Sequence, residues 1–179
     1  IDNFNQFGGT LLGNSRVKLK NTEDCIAKGY VSEDDSPLEV AARQLVSDKV
    51  DVLHTIGGDD TNSTANDLVN FLKENDYNLT VVGLPKTIDN DVFPIEQTLG
   101  AWTAAEETAR FFSNIVNENT TSSRHLIIHE IMGRNCGWLT AEASRVYLES
   151  LRNKIFLEDY NLSKKSWSID AIFIPEISI

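Results

Sequence analysis

Four apolar runs, Val50–Ile56, Leu79–Leu84, His125–Ile131 and Ile169–Ile174, each stop at a short loop rich in glycine, proline or charged residues. After the first three loops comes a stretch whose apolar residues recur at helical spacing. Strand, loop and helix alternate along the chain. A strand followed by a helix and another strand is the connection that parallel pairing needs, because parallel neighbours cannot be joined by a tight turn. The pattern therefore predicts an α/β fold, with parallel sheets wrapped by helices. In such sheets ligands bind beyond the carboxyl ends of the strands. That directs attention to three loops, 57–62, 85–91 and 132–137.

The helices carry their own signals. Ser36-Pro37-Leu38-Glu39 reads as N-cap, N1 proline and an N3 glutamate, with Leu38, Ala41, Ala42 and Leu45 on one face. Ala65, Leu68, Val69 and Leu72 predict a second helix, and Ile95 to Val116 a single long one bearing Leu99, Trp102, Ala105, Ala109 and Phe112. A further helix is expected from Leu139 to Leu151. Residues 18–36, with the acidic cluster Ser32-Glu33-Asp34-Asp35-Ser36, read as an irregular surface excursion. The polar segment Asn117–Ser123 is taken as a domain crossing, and 161–168 as a basic-polar connection.

Composition narrows the function classes. The 179 residues can bury a real core, and 41% hydrophobic with 24% charged residues is ordinary for a globular protein. No apolar run approaches the roughly 20 residues that span a bilayer. Two cysteines, Cys25 and Cys136, suggest neither a disulfide scaffold nor a zinc knuckle, and a reducing, cytoplasmic setting is expected. The net charge of −11 argues against nucleic acid or an anionic membrane as partner. It leaves room for a small phosphate ligand, since a few placed cations and a divalent metal reverse the field locally. The chain begins without Met and ends just after a strand-like run, which reads as an internal piece of a longer protein.

Three loops can carry chemistry. In Gly57-Gly58-Asp59-Asp60-Thr61-Asn62 the glycines let backbone approach a phosphate, and the helix that follows offers free N–H groups. Asp59 suits magnesium, and equally a tight turn with Asp as N-cap. Asp60 adds a second carboxylate, which repels a polyphosphate unless metal offsets it or the donor stops short. In Pro85-Lys86-Thr87-Ile88-Asp89-Asn90-Asp91, Asp89 could take a proton from a hydroxyl, Asp91 could help hold a metal and Lys86 could neutralise a phosphoryl group. An Asx-rich turn closing a strand is the competing reading. Met132-Gly133-Arg134 supplies an arginine for a phosphorylated substrate and a glycine for close approach; a surface arginine after a strand is the plainer alternative.

Taken together, Gly-Gly-Thr-Leu-Leu-Gly-Asn-Ser-Arg at 8–16, Gly-Gly-Asp-Asp-Thr-Asn, Pro-Lys-Thr-Ile-Asp-Asn-Asp, Met-Gly-Arg-Asn-Cys-Gly-Trp and Pro-Glu-Ile occur in an order that resembles the phosphofructokinase family, from about Phe7 to Ile177. The resemblance implies a Rossmann-like fold of two subdomains with the active site between them. Residues 1–121 would then belong to a donor-binding part and 122–179 to the start of a sugar-phosphate-binding part, each incomplete. It also implies that Asp89 is the base acting on the 1-hydroxyl of fructose 6-phosphate, within the substrate-binding triplet of Thr87, Ile88 and Asp89. Asp59 would bind Mg2+ with Asp91 supporting the metal region, and Met132, Gly133 and Arg134 would contact the sugar phosphate. Arg16 would reach the phosphoryl donor beside Gly58. Arg124, or His125 in its place, would enter a neighbouring subunit's site, which implies a homo-oligomer, a dimer or tetramer. Glu176 stays unassigned.

Two positions speak to the donor. The ATP-using branch typically has glycine where Asp60 and Lys86 stand here, so this chain resembles the diphosphate-dependent branch. Asp60 would crowd and repel the α-phosphate of ATP, whereas Lys86 can bind a short donor. The implied reaction passes a phosphoryl group from diphosphate to fructose 6-phosphate, a reversible step of glycolysis and gluconeogenesis. Rival readings are an ATP-dependent phosphofructokinase, a nicotinamide-dinucleotide or lipid kinase that shares Gly-Gly-Asp, and a non-catalytic regulatory subunit.

Overall fold

The computed structural model describes residues 6–122, 124–160 and 162–178. Ser123 and Asn161, which fall in the two polar connections, lie outside the described residues, as do residues 1–5 and Ile179. Among the described residues five α-helices and two strands follow in the order α1 Thr22–Ala27, α2 Pro37–Ser47, β1 Val52–Gly57, α3 Asp59–Glu74, β2 Thr80–Pro85, α4 Ala101–Asn119 and α5 Trp138–Ser150. Short 3-10 turns occupy Glu158–Tyr160 and Lys164–Trp167.

β1 and β2 are neighbours in one sheet. The Thr80 N–H donates to the Asp51 carbonyl at 3.0 Å and the Lys86 N–H to the Gly57 carbonyl at 2.8 Å. Both strands thus advance in the same direction, and α3 is the crossover of a parallel βαβ unit. The α/β expectation holds.

The chain forms two compact units. One comprises the stretches up to Thr55 and Asp60–Gly83, the other Ile56–Asp59 and the chain from Leu84 onward. In the first, Ala42, Leu68 and Leu72 are buried with Leu38, Leu45, Leu53, Phe71, Tyr77, Leu79 and Val81 packed around them. Leu38, Ala42, Leu45, Leu68 and Leu72 are positions that the helical pattern singles out, and Leu53, Leu79 and Val81 lie in the two apolar runs, whereas Phe71 and Tyr77 join the core without such a signal. The Ser36 side chain accepts from the Glu39 N–H, so the cap of α2 is as the sequence implies.

In the second unit α4 packs on α5. Ala109, Val116, Tyr147 and Leu151 are buried, flanked by Phe112, Ile127, Val146, Phe156 and Trp167. Phe112 meets Tyr147 edge-on at 4.8 Å, and Trp102 meets Trp138 edge-on at 5.7 Å. Among the described residues no helix is long and apolar enough to cross a membrane.

Four expectations are corrected. The long helix starts at Ala101 rather than Ile95, because Gly100 sits at φ 94°, a left-handed conformation that a right-handed helix cannot contain. Residues 95–99 belong instead to the loop that follows β2. The excursion at 18–36 contains the short helix α1, capped by Asn21. Residues 125–131 and 169–174 form no ladder, although 125–131 keep much of a strand's alternation, with Leu126 and Ile128 exposed and Ile127 and His129 half-buried. Apolar alternation marks which side chains face a core. A strand also requires a partner, and among the described residues neither segment has one.

The Tyr147 side chain, 1% exposed, donates through its hydroxyl to the Trp167 carbonyl at 2.6 Å. Removing the hydroxyl in Tyr147→Phe takes this donor from the half-buried Trp167 and should cost about 0.5–1.5 kcal/mol in denaturant unfolding. Burial also raises the phenol above its ordinary value of 10.0. The folded state then keeps this proton to higher pH than the unfolded state. The resulting stability is present below pH 10 and is lost as pH rises through the raised value. The stability gap between the wild type and Tyr147→Phe should therefore narrow above pH 10 in unfolding series run at matched salt.

Candidate active site

The site is built on the shared end of β1 and β2. Gly57, buried, closes β1, and α3 begins two residues later at Asp59. A side chain at Gly58 would meet the Lys86 carbonyl and the Thr87 Cβ at 3.8 Å each, an ordinary contact. The turn after β1 and the loop after β2 therefore lie side by side. Asp59 is exposed at the first helical position, and Lys86 is exposed at the end of β2.

Asp60 is not left to repel on its own. The Lys18 ammonium lies 3.0 Å from its carboxylate, with both side chains mostly exposed. Such a pair contributes at most about 1 kcal/mol to stability, yet it places a cation against the residue whose negative charge the sequence left unexplained.

The loop after β2 is shaped by its own side chains. The Asp89 N–H donates to Thr87 Oγ1 at 3.1 Å, closing a small turn. Asn90 follows at φ 55°, a conformation that asparagine tolerates better than most residues. Its Oδ1 accepts from the Thr98 N–H at 2.8 Å, and the Thr98 hydroxyl reaches the Thr87 carbonyl at 2.7 Å. Thr87, Ile88 and Asp89 are half-buried and Asp91 is exposed.

The third loop meets this one directly. Gly133 has φ 125°, and a side chain there would collide with the Cys136 carbonyl, so this position accepts glycine alone. The Cys136 thiol donates to the Asp89 carbonyl at 3.2 Å. At the start of α5, the buried Gly137 N–H donates to Glu176 Oε1 at 2.8 Å. Glu176 thereby caps α5 from a distant part of the chain, satisfying one orphan donor and complementing the helix dipole. It also holds the base of the Met132–Gly137 loop.

Asp89, Asp91 and residues 130–136 line an open cavity of about 590 Å³. Asp89, Asp91, Met132, Gly133 and Arg134 are thus gathered at one place. Glu130 joins them as a third carboxylate. Arg124 is exposed and does not line the cavity; Arg16 and Asp60 belong to the other compact unit. The cavity opposes three carboxylates to one guanidinium, so an anionic ligand there needs further positive charge. Among the described residues no three His, Cys, Asp or Glu side chains gather to hold an ion by themselves. Exposed Asp59 and Asp91 suit a hard divalent cation that takes one or two carboxylates and completes its shell with phosphate oxygens and water.

Sequence reasoning missed Lys18, Glu130, Thr98 and the contact role of Cys136. Thr98 stood inside an apparent helix, and no periodicity distinguishes a loop threonine from a helical one. Glu130, two residues before Met132 at the end of an apolar run, was the most legible of the four.

Residues 1–149 match the family described as Phosphofructokinase. The chain is 57% identical over 174 residues, 97% of its length, to pyrophosphate–fructose 6-phosphate 1-phosphotransferase of Methylomonas methanica, covering 42% of that protein. It is also 57% identical over 178 residues to the enzyme of the same name from Propionibacterium freudenreichii subsp. shermanii, covering 99% of the chain and 44% of the relative. The chain therefore spans less than half the length of these curated relatives. A crystal structure of a pyrophosphate-dependent phosphofructokinase from Marinobacter aquaeolei superposes with a TM-score of 0.59 at 23% identity, covering 77% of this chain and 32% of that one. That likeness speaks to the α/β fold. With the family matched over residues 1–149, this chain belongs to the phosphofructokinase family.

Proposed function

We propose that the full-length protein transfers a phosphoryl group reversibly from diphosphate to the 1-hydroxyl of fructose 6-phosphate. The observation that carries this reading is the meeting of Asp89 and Arg134 in one cavity, in a chain that has aspartate at 60 and lysine at 86. Asp89 accepts the hydroxyl proton as the sugar oxygen attacks phosphorus. Arg134 holds the sugar phosphate through its fork of donors, with Gly133 leaving room for it and Met132, Thr87 and Ile88 shaping the pocket. Lys86 meets the negative charge that shifts onto the departing phosphate.

Mg2+ is the proposed cation, held by Asp59 and Asp91, and its chemistry is neutralisation of the diphosphate oxygens. Gly58 and Arg16 serve the donor. Asp60, which pairs with Lys18, is assigned the role of crowding and repelling the α-phosphate of a nucleotide. Residues 1–121 form the donor-binding part and 122–179 the beginning of the sugar-phosphate part. The exposed Arg124 is suited to reach a second subunit, which makes the working enzyme a cytoplasmic homodimer or homotetramer.

Two experiments on the full-length protein test this. Steady-state assays should give kcat/KM for diphosphate at least roughly 100-fold above that for ATP, and Asp60→Gly with Lys86→Gly should collapse that ratio. Turnover with ATP as fast as with diphosphate sinks the donor assignment. Asp89→Asn should lower kcat by about 100- to 10,000-fold with folding intact by circular dichroism. An unchanged rate removes Asp89 from the role of base.

A further inference from the structure

Thr98 is a buried polar side chain, 1% exposed, that the chemistry above does not use. Its hydroxyl lies 2.7 Å from the Thr87 carbonyl and 3.1 Å from Asn90 Oδ1. A hydroxyl has one proton to donate, and the shorter contact assigns that proton to Thr87. The Thr98 N–H serves Asn90 Oδ1 at 2.8 Å. Around this centre the Asn90 amide donates to the Glu96 carbonyl at 3.1 Å, and the Leu99 N–H to the Pro85 carbonyl at 3.0 Å. Residues 85–90 are thus strapped to residues 96–99, and the two residues between the points that Thr98 grips are Ile88 and Asp89. On its other side the Asp89 carbonyl accepts from Cys136 at 3.2 Å.

We propose that Thr98 is the positioning residue for Asp89. By fixing Thr87 on one side and Asn90 on the other, it holds the turn in which the carboxylate faces the cavity. The inference rests on Asp89 being the base. The physical reason is that general-base catalysis tolerates little displacement, and a misplacement near 1 Å costs roughly 100-fold in rate. The Asp89 N–H to Thr87 Oγ1 and the Cys136 thiol to the Asp89 carbonyl hold the backbone of Asp89 itself, whereas Thr98 fixes the residues that flank the turn, with Asn90 in a left-handed conformation that leucine or valine would not hold. Replacing the hydroxyl by a methyl in Thr98→Val keeps the volume but leaves the Thr87 carbonyl without its donor. The turn is then free to relax away from the productive geometry.

The test uses the full-length protein, assayed with diphosphate and with ATP and normalised to the folded fraction. Thr98→Val should lower kcat by roughly 30- to 100-fold while KM for fructose 6-phosphate stays within about 2-fold, and Thr98→Ser should recover most of the loss. In an Asp89→Asn background, Thr98→Val should cause no further fall, because a residue that acts through the base has nothing left to position. Asn90→Gly, which removes the gripped amide but accepts the left-handed backbone, gives the same readout if Thr98→Val does not fold. A Thr98→Val enzyme that keeps its kcat, or a loss that persists undiminished in the Asp89→Asn background, overturns the inference alone. Faster turnover with ATP overturns the donor reading and leaves this comparison intact, read with ATP. Absence of turnover with either donor, or an active Asp89→Asn, overturns both.

Discussion

One backbone hydrogen bond sets the arrangement of the site. The Lys86 N–H donates to the Gly57 carbonyl at 2.8 Å as the final rung of the parallel ladder. Parallel pairing brings the ends of β1 and β2 to the same edge, so the loop with Asp59 and the loop with Asp89 leave side by side. Had the strands run in opposite directions, the two acidic loops would have emerged at opposite ends. The helix α3 between them makes parallel pairing sterically simple.

Past that edge, the loops are held by short polar contacts rather than by a hydrophobic core. Thr98 binds the loop after β2 from within, Cys136 ties it to the Met132–Gly137 loop, and Glu176 secures the latter at the start of α5. Gly133 makes the closest approach in the group, and its backbone conformation excludes every side chain. This construction suits a site that must carry several like charges. Apolar packing cannot hold carboxylates near one another, whereas hydrogen bonds to their backbone fix the chain while leaving the charged groups facing the cavity.

Much of this was legible beforehand, for reasons that differ by residue. The cap Ser36-Pro37-Glu39 and the faces of α2 and α3 could be read because capping and helical spacing are local properties. Asp59, Asp89 and Arg134 each had a plainer structural reading, and stood out because the motifs that carry them follow one another in a family's order. Strands at 125–131 and 169–174 were misjudged because a strand depends on a neighbour as much as on its own side chains. The start of α4 was misplaced because apolar spacing continues through Leu99 and Gly100, where the backbone turns left-handed. Lys18, forty-two positions from Asp60 along the chain, could not be paired with it from order alone.

The amino-acid order was enough to establish the class of fold and the family and to single out three candidate loops, since each depends on local pattern or on motifs in series. Tertiary structure alone decided that Asp89, Asp91, Glu130 and Arg134 share one cavity, that Lys18 answers Asp60, and that Thr98 grips the turn around Asp89. The physical reason is distance. Hydrogen bonds and ion pairs act over about 3 Å, and only the folded chain determines which residues far apart in sequence come that close.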